Sequence, residues 1–454
     1  MVNPLIFREY DIRGIADTEL TDDVAMLIGK AFGSHIQQAA GKEVVVGHDN
    51  RVSSYRIRSA LIEGLLSTGC DVLDVGEVPT PVLYYSIWKY QRAGGVMVTG
   101  SHNPPEFNGF KIARGLETIY GPEIQHLREI IETGDFMTGR GRLSEADPVP
   151  DYLAYVEERI RPQRRLRVVL DSGNGTTGPV AMRLLKDLGC DVIGLYVEPD
   201  GRFPHHIPDP VVPRYMADLM DTVRREKADV GIGLDGDGDR IGAVDERGEI
   251  VWGDRLLILF ARDLLTRHPG AKVIFDVKSS QAVVEDVQRH GGVPIMWKVG
   301  HSLIKHKMRE EDALLAAEMS GHTYFRENYL GYDDAIFAAG KLVELLSKHD
   351  RPFSALLADI PQYVSSPEIR IDCPDEVKFA VVARARDYFR ARYPVIDIDG
   401  VRVILDAGWA LLRASNTEPR LVLRFEAKTE AEMERIRNMM MDKVREFMAA
   451  AGAS

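Results

Sequence analysis

The sequence predicts an α/β fold: three similar α/β domains with mixed, largely parallel sheets, plus a smaller C-terminal α+β domain. Three observations lead there. A strand–helix–glycine–strand pattern recurs three times along the chain. The last ninety or so residues switch to short successive strands with a hairpin signal between flanking helices. At 454 residues the chain also exceeds what one hydrophobic core serves.

The first repeat is "KEVVVGHDNR" (42–51), the helical "IRSALIEGLLSTG" and the strand "CDVLDVGEVPTP". The second is "LRVVLDSGNG" (166–175), "GPVAMRLLKDLG" and "CDVIGLYVEPDG". The third is "AKVIFDVKSS" (271–280), "QAVVEDVQRHGG" and "VPIMWKVGHS". Each opens with a β-branched strand ending at Asp49, Asp171 or Asp276, and each helix stops at Gly69, Gly189 or Gly291, where glycine suits a left-handed cap. Strand, helix and strand with a short crossover make a parallel βαβ unit. In the C-terminal part, Asp399-Gly400 is the hairpin signal, and the Met-rich face of the last helix reads as core packing. The expected domains are 1–147, 148–250, 251–364 and 365–454. The stretch "DIPQYVSSPE" before the last one, with two prolines and two serines, predicts few contacts across that join.

Composition narrows the function. Hydrophobic residues are 45% and charged residues 28%, as in a soluble globular protein. A net charge of −12 argues against nucleic-acid or anionic-membrane partners, so any phosphate site must be built locally. Cys70, Cys190 and Cys373 are widely spaced and fit no metal pattern, which predicts buried thiols in a reducing compartment. The N-terminus has no apolar signal region and no apolar run of about 18 residues occurs, so a cytoplasmic location is expected.

Four stretches carry chemistry. In "GVMVTGSHNPPEFNGFKI" (95–112), Val96–Val98 read as a buried strand that Pro104 and Pro105 cannot continue. Ser101 therefore sits on a stiff loop at a strand's C-terminal end, where α/β proteins tend to place chemistry. In "GLDGDGDR", Asp235, Asp237 and Asp239 alternate with glycines. Three such carboxylates repel unless a cation holds them, and oxygen-only ligation suits Mg²⁺ or Ca²⁺. An EF-hand is excluded because its sixth loop position is Arg240 and its flanks read as strands. Three carboxylates leave the ion needing more oxygens, from phosphate or water. In "AEMSGHTYF", Glu318, Ser320 and His322 would share one face of an extended segment, suiting sugar hydroxyls, although a capping box or an ordinary polar loop reads the same way. In "LLRASNTEPRLVLRFE", Arg413, Ser415, Asn416 and Thr417 form a polar turn with a guanidinium fork suited to phosphate, although a plain hairpin loop has the same look. Tyr10 and Arg13 in "FREYDIRG" mean little alone, and Lys278 and His301 sit at strand ends of the third repeat.

Together, "TGSHNPPEFNGFKI", "GLDGDGDR", "EMSGH" and "RASNTEP", one per expected domain, resemble the α-D-phosphohexomutases over essentially the whole chain. "FREYDIRG" and "EMSGH" are most similar to the phosphomannomutase/phosphoglucomutase branch. Phosphoglucosamine mutases typically carry Gln at the Met319 position and Ala at the Gly100 position. Relatives also usually have Arg where His48 stands. The resemblance implies a central cleft in which Ser101 is a phosphoserine flanked by His102 and Asn103. It implies one Mg²⁺ held by Asp235, Asp237, Asp239 and the Ser101 phosphate. Lys111, Arg240, Arg13 and His322 would add charge or serve as acid and base. Tyr10, Lys278, His301, Glu318, Ser320, Arg413, Ser415, Asn416 and Thr417 would hold the sugar phosphate. A hexose 1,6-bisphosphate would be intermediate and activator, in a monomer or weak homodimer. A serine hydrolase is disfavoured, because Ser101 and His102 on an extended loop would point apart and no G-x-S-x-G elbow occurs. A binding protein without turnover would need neither Ser101 nor the Asp triplet.

Overall fold

A computed structural model describes residues 2–416 and 419–452. Four sheets follow one another along the chain. In the first, Glu43–His48 pairs in parallel with Asp71–Glu77 on one side and Gly94–Val98 on the other. Phe107–Arg114 and then Ile12–Ile15 extend it antiparallel. In the second, Arg167–Asp171 lies between Asp191–Leu195 and Val230–Leu234, all parallel, and Ile241–Val244 returns antiparallel. The third repeats the plan, with Lys272–Asp276 between Val293–Trp297 and Leu315–Ala317, and Thr323–Phe325 antiparallel at the edge. Each expected βαβ unit is present, and Gly69, Gly189 and Gly291 have φ of 96°, 85° and 78°. The left-handed turn that a side chain would resist thus stands after all three helices.

The fourth sheet is antiparallel, with Arg420–Ala427 beside Gly408–Ala414, which in turn pairs with Val401–Leu405. Helices Asp375–Arg390 and Glu430–Ala450 cover it, and Met433 and Met440 of the second are buried in its core. One continuous apolar cluster joins the first three sheets, running through Met97, Leu170, Phe275 and Phe337. The fourth has its own core, and a small apolar group of Val277, Trp409 and Leu411 touches the third.

That join corrects one expectation. Its apolar contact is small, but it is densely hydrogen-bonded. Arg402 Nη1 donates to the carbonyls of Val277 and Ser279, both at 2.8 Å. Arg424 reaches the Lys278 carbonyl, and Gln281 N–H donates to Glu426 at 2.8 Å. The linker's prolines and serines say nothing about these partners, which lie on strands well past it and on the 277–281 stretch well before it. All three cysteines are buried and free. Among the described residues, no helix is long and apolar enough to cross a membrane.

Candidate active site

Strand Gly94–Val98 is wholly buried between two neighbours, so its end is rigidly placed. Just beyond it the Asp49 carboxylate accepts from Thr99 Oγ1 at 2.8 Å and Gly100 N–H at 3.0 Å. Ser101 then turns into the left-handed region, with φ of 50°. The turn aims its hydroxyl at Asp235 Oδ2, 2.8 Å away, while His102 Nδ1 stands 3.0 Å from Ser101 Oγ. Ser101 and His102 were expected to point apart. That holds for an extended chain, and the positive φ removes it.

The partner loop joins strands Val230–Leu234 and Ile241–Val244. Asp235 Oδ1 accepts the N–H groups of Gly238, Asp239 and Arg240, each at 3.0 Å, which curls the loop around it. Asp237 accepts from Thr80 Oγ1 and from Lys111 Nζ, both at 2.6 Å, and Lys111 also reaches Asp239. All three carboxylates are 0% exposed. Burial, and then the charges of Asp237 and Asp239, push the Asp235 carboxyl well above its ordinary range. Burial would raise Asp237 too, but Lys111 outweighs it and holds that carboxyl down. Burial likewise works against the Lys111 ammonium, and the carboxylates of Asp237, Asp239 and Asp235 overcome it.

These residues fit a metal ion. Each of the three offers an oxygen within 4.8 Å of the others. Asp237 Oδ1 and Asp239 Oδ1 are buried without a hydrogen-bond partner, a state that a bound cation would relieve.

In front of this pair opens a cavity of about 530 Å³. Tyr10, Arg13, Ser101, His102 and Lys111 line it from the first part of the chain, and Arg240 from the acidic loop. Lys278, His301, Glu318, Ser320 and His322 come from the third sheet, and Arg413, Ser415 and Asn416 from the fourth. Thr417 lies outside the described residues. The stretch 318–322 is a turn between antiparallel strands and not an extended segment, closed by Gly321 N–H to the Glu318 carbonyl at 3.0 Å. The three side chains meet in the cavity because the chain reverses there. Glu318 accepts from Gly300 N–H at 2.7 Å and Tyr324 Oη at 2.8 Å.

His322 is held from both sides. Arg240 Nε donates to its Nε2 at 3.1 Å, and its Nδ1 faces Asp333 Oδ2 at 3.1 Å. Asp333 also accepts from Lys305 at 2.9 Å. Burial, and then Lys305, drive the His301 imidazole well below its usual range, so it is neutral at pH 7. Burial, and then Arg240, do the same for His102.

Several residues at the site escaped sequence reasoning. Thr80 and Asp333 stand behind the cleft, and Asp209, Glu368 and Arg370 line it. Lys278 pairs with Glu368 at 3.2 Å, and Arg413 with Asp399 at 3.1 Å. Lys278, outweighing the burial that would raise it and helped by Arg370, holds the Glu368 carboxyl at about 2. Asp209 lies within the unusual run "PHHIPDP" (204–210), a signal that could have been read. Glu368 ends the linker and had none.

Three α/β layers, a fourth α+β unit and a serine hydroxyl set against an acidic loop define the phosphohexomutase class. The chain belongs to the phosphoglucomutase/phosphomannomutase family. Models of that family's alpha/beta/alpha domains I, II and III match residues 4–138, 150–248 and 252–363, and its C-terminal domain matches 368–443. The chain is 47% identical over 441 residues to the phosphomannomutase/phosphoglucomutase of Pseudomonas aeruginosa, covering 97% of this chain and 95% of that one. A probable phosphoglucosamine mutase of Methanopyrus kandleri is more distant, 37% identical over 448 residues, covering 97% of each chain. The crystal structure of a phosphoglucomutase/phosphomannomutase family protein from Burkholderia thailandensis superposes with a TM-score of 0.92 at 41% identity, covering 100% of this chain and 98% of that one.

Proposed function

We propose that the protein interconverts hexose 1-phosphates and hexose 6-phosphates, with mannose and glucose as its sugars, through a phosphoserine at Ser101. The observation that carries this reading is the Ser101 hydroxyl, 2.8 Å from a buried triplet of carboxylates at the floor of a cleft rimmed with cations.

In this reading phospho-Ser101 passes its phosphoryl group to the free hydroxyl of the bound hexose phosphate, whose proton goes to His322, while Lys111, kept as an ammonium by the acidic loop, adds positive charge. The bisphosphate turns over in the cleft, and its other phosphoryl group returns to Ser101 Oγ. Asp235, Asp237 and Asp239 would hold Mg²⁺, which when bound supplies positive charge against the transferring group. Arg240 and Arg13 add charge at the same end. Glu318 and Ser320 grip sugar hydroxyls, while Arg413, Ser415 and Asn416 hold the phosphate that is not reacting. The cleft wall excludes water, which would otherwise take the phosphoryl group.

Side-by-side assays of mannose 1-phosphate, glucose 1-phosphate and glucosamine 1-phosphate test the substrate class, and intact mass tests the phosphoserine. Turnover of both hexoses with phosphate found on Ser101 is the expected result. A preference for glucosamine 1-phosphate would move the protein to the neighbouring activity. No turnover of any of them and no phosphate on Ser101 would overturn the reading.

A further inference from the structure

Behind the Ser101 loop, away from the cleft, lies an arginine that the chemistry above does not use. The Arg51 side chain is 0% exposed, and each of its five N–H groups has an acceptor. Nε donates to Asp49 Oδ2 at 3.2 Å. Nη1 donates to the carbonyls of Pro104 and Phe107 at 2.5 and 3.0 Å, and Nη2 to those of Ser101 and Asn103 at 2.9 and 2.6 Å. One planar fork thus gathers four carbonyls of the segment 101–107. Pro104 and Pro105 stiffen that segment but remove two donors from it. Asp49, which anchors Arg51, also accepts Thr99 Oγ1 and Gly100 N–H on the strand side of Ser101.

The second sheet's loops close over the same side chain. The Phe203 ring lies 5.0 Å from the guanidinium carbon. Neighbouring Asn50 accepts no slack, since its N–H donates to Thr176 Oγ1 and its Nδ2 to the Asn174 carbonyl, both at 2.8 Å. The Ser101 carbonyl is held by Arg51 on one side and faces Gly236 of the acidic loop on the other, where a Cβ would come within 2.6 Å of it.

We propose that Arg51 is a positioning residue for phosphoryl transfer: its guanidinium, clamped by Asp49 and Phe203, holds Ser101 in its left-handed conformation and registers the hydroxyl against the Asp235–Asp239 loop. Ser101 is not glycine, so its φ of 50° must be imposed from outside, and the Arg51 contacts are what impose it. Gly100 belongs to the same device. A Cβ there would lie 2.5 Å from the guanidinium Cζ and Nε, so a glycine is required while Arg51 keeps this pose.

The inference rests on Ser101 being the phosphoryl carrier, and the test separates the two claims. Intact mass first establishes phosphate on Ser101 in the unaltered protein; its absence there counts against the proposed function and not against the arginine. Steady-state kinetics are then measured for Arg51→Lys and Arg51→Ala beside thermal melts. A displacement of about 1 Å in a reacting group costs on the order of 100-fold in rate, so kcat should fall about that much with KM within about threefold. Guanidinium ion at millimolar levels should restore part of the kcat of folded Arg51→Ala, and ammonium at equal ionic strength should not. Gly100→Ala, which pushes on the same guanidinium, should lower kcat in the wild-type background and add little to Arg51→Ala. If Arg51→Ala does not fold, Arg51→Lys decides alone. Retained kcat in Arg51→Lys, a loss confined to KM, or a folded Arg51→Ala that guanidinium does not restore would each overturn the proposal.

Discussion

Behind the Ser101 loop Arg51 places all five donors on that loop and its anchor; at the join to the fourth sheet, Arg402 reaches across to the third with Nη1 alone. Arg402 Nε and Nη2 are buried without a partner, and its guanidinium lies 3.8 Å over Trp409. Burial lowers its pKa to about 9. The first end shares one apolar core with the second and third sheets, whereas the fourth sheet has a core of its own. In the proposed reaction, one cleft thus combines a firmly held reaction centre with a more separable wall for the second phosphate. Around Arg51 every donor is paired, and the unpaired buried oxygens nearby, Asp237 Oδ1 and Asp239 Oδ1, face the place where a cation fits. At the fourth sheet, where the idle phosphate is proposed to bind, the join is polar and imperfectly satisfied, as interfaces that can move are.

The comparison can be broken most directly at Ser101. Ser101→Ala should abolish turnover, a loss of roughly 10⁴-fold or more, because in the proposed reaction Ser101 alone carries the phosphoryl. Its melt should stay close to wild type, since the loop is held through backbone carbonyls and Asp49. Robust mutase activity in the folded variant would remove the reaction centre from this end.

Next in size is the acidic loop. Asp237→Asn should slow transfer about 100-fold and weaken Mg²⁺ binding, read by titrating Mg²⁺ into EDTA-treated protein. Full activity after exhaustive EDTA treatment without added metal would show that the triplet serves some other purpose.

Arg413→Ala tests the far wall. A single anchor for whichever phosphate is idle predicts that KM rises about tenfold for both 1-phospho and 6-phospho sugars, as for loss of a charge-assisted pair. A rise for only one isomer would mean that the two phosphates have separate sites.

How far these contrasts could be read in the sequence follows from their range. The βαβ repeats, the hairpin at Asp399-Gly400 and the buried thiols were legible, because periodicity, turn residues and burial are local. The Asp triplet was legible because three alternating carboxylates have few uses. Ser101 was placed on the correct loop, yet its contact with His102 was misjudged, since one positive φ reverses a side chain and Ser rarely signals it. The 318–322 turn was taken as extended for the same reason: alternation describes strands and turns equally. Arg51, Arg402 and Glu368 act on residues tens to over a hundred positions away, and no spacing rule reaches that far.

The smallest effect concerns Glu368, where the two ends should respond to acid in opposite senses. Lys278 holds the Glu368 carboxyl at about 2 in the folded protein, against an ordinary value of about 4.5. A depressed carboxyl contributes stability that is fully present above about pH 4.5 and is lost as pH falls toward 2. Its side chain is 27% exposed, so screening reduces the contribution to about 1 kcal/mol. Asp235 has the reverse sign. Its raised pKa means that the metal-free acidic loop gains stability as pH drops below that pKa, down to the unfolded value. Melts of metal-free wild type and Glu368→Gln should therefore differ by about 1 kcal/mol at pH 6 and converge toward pH 2. The same substitution should lower KM about twofold, because Lys278 no longer has to exchange a protein carboxylate for a phosphate. A stability gap that persists at low pH would mean that Glu368 acts through packing. An unchanged KM would mean that Lys278 does not meet the substrate, and the far wall would then rest on Arg413 and its neighbours alone.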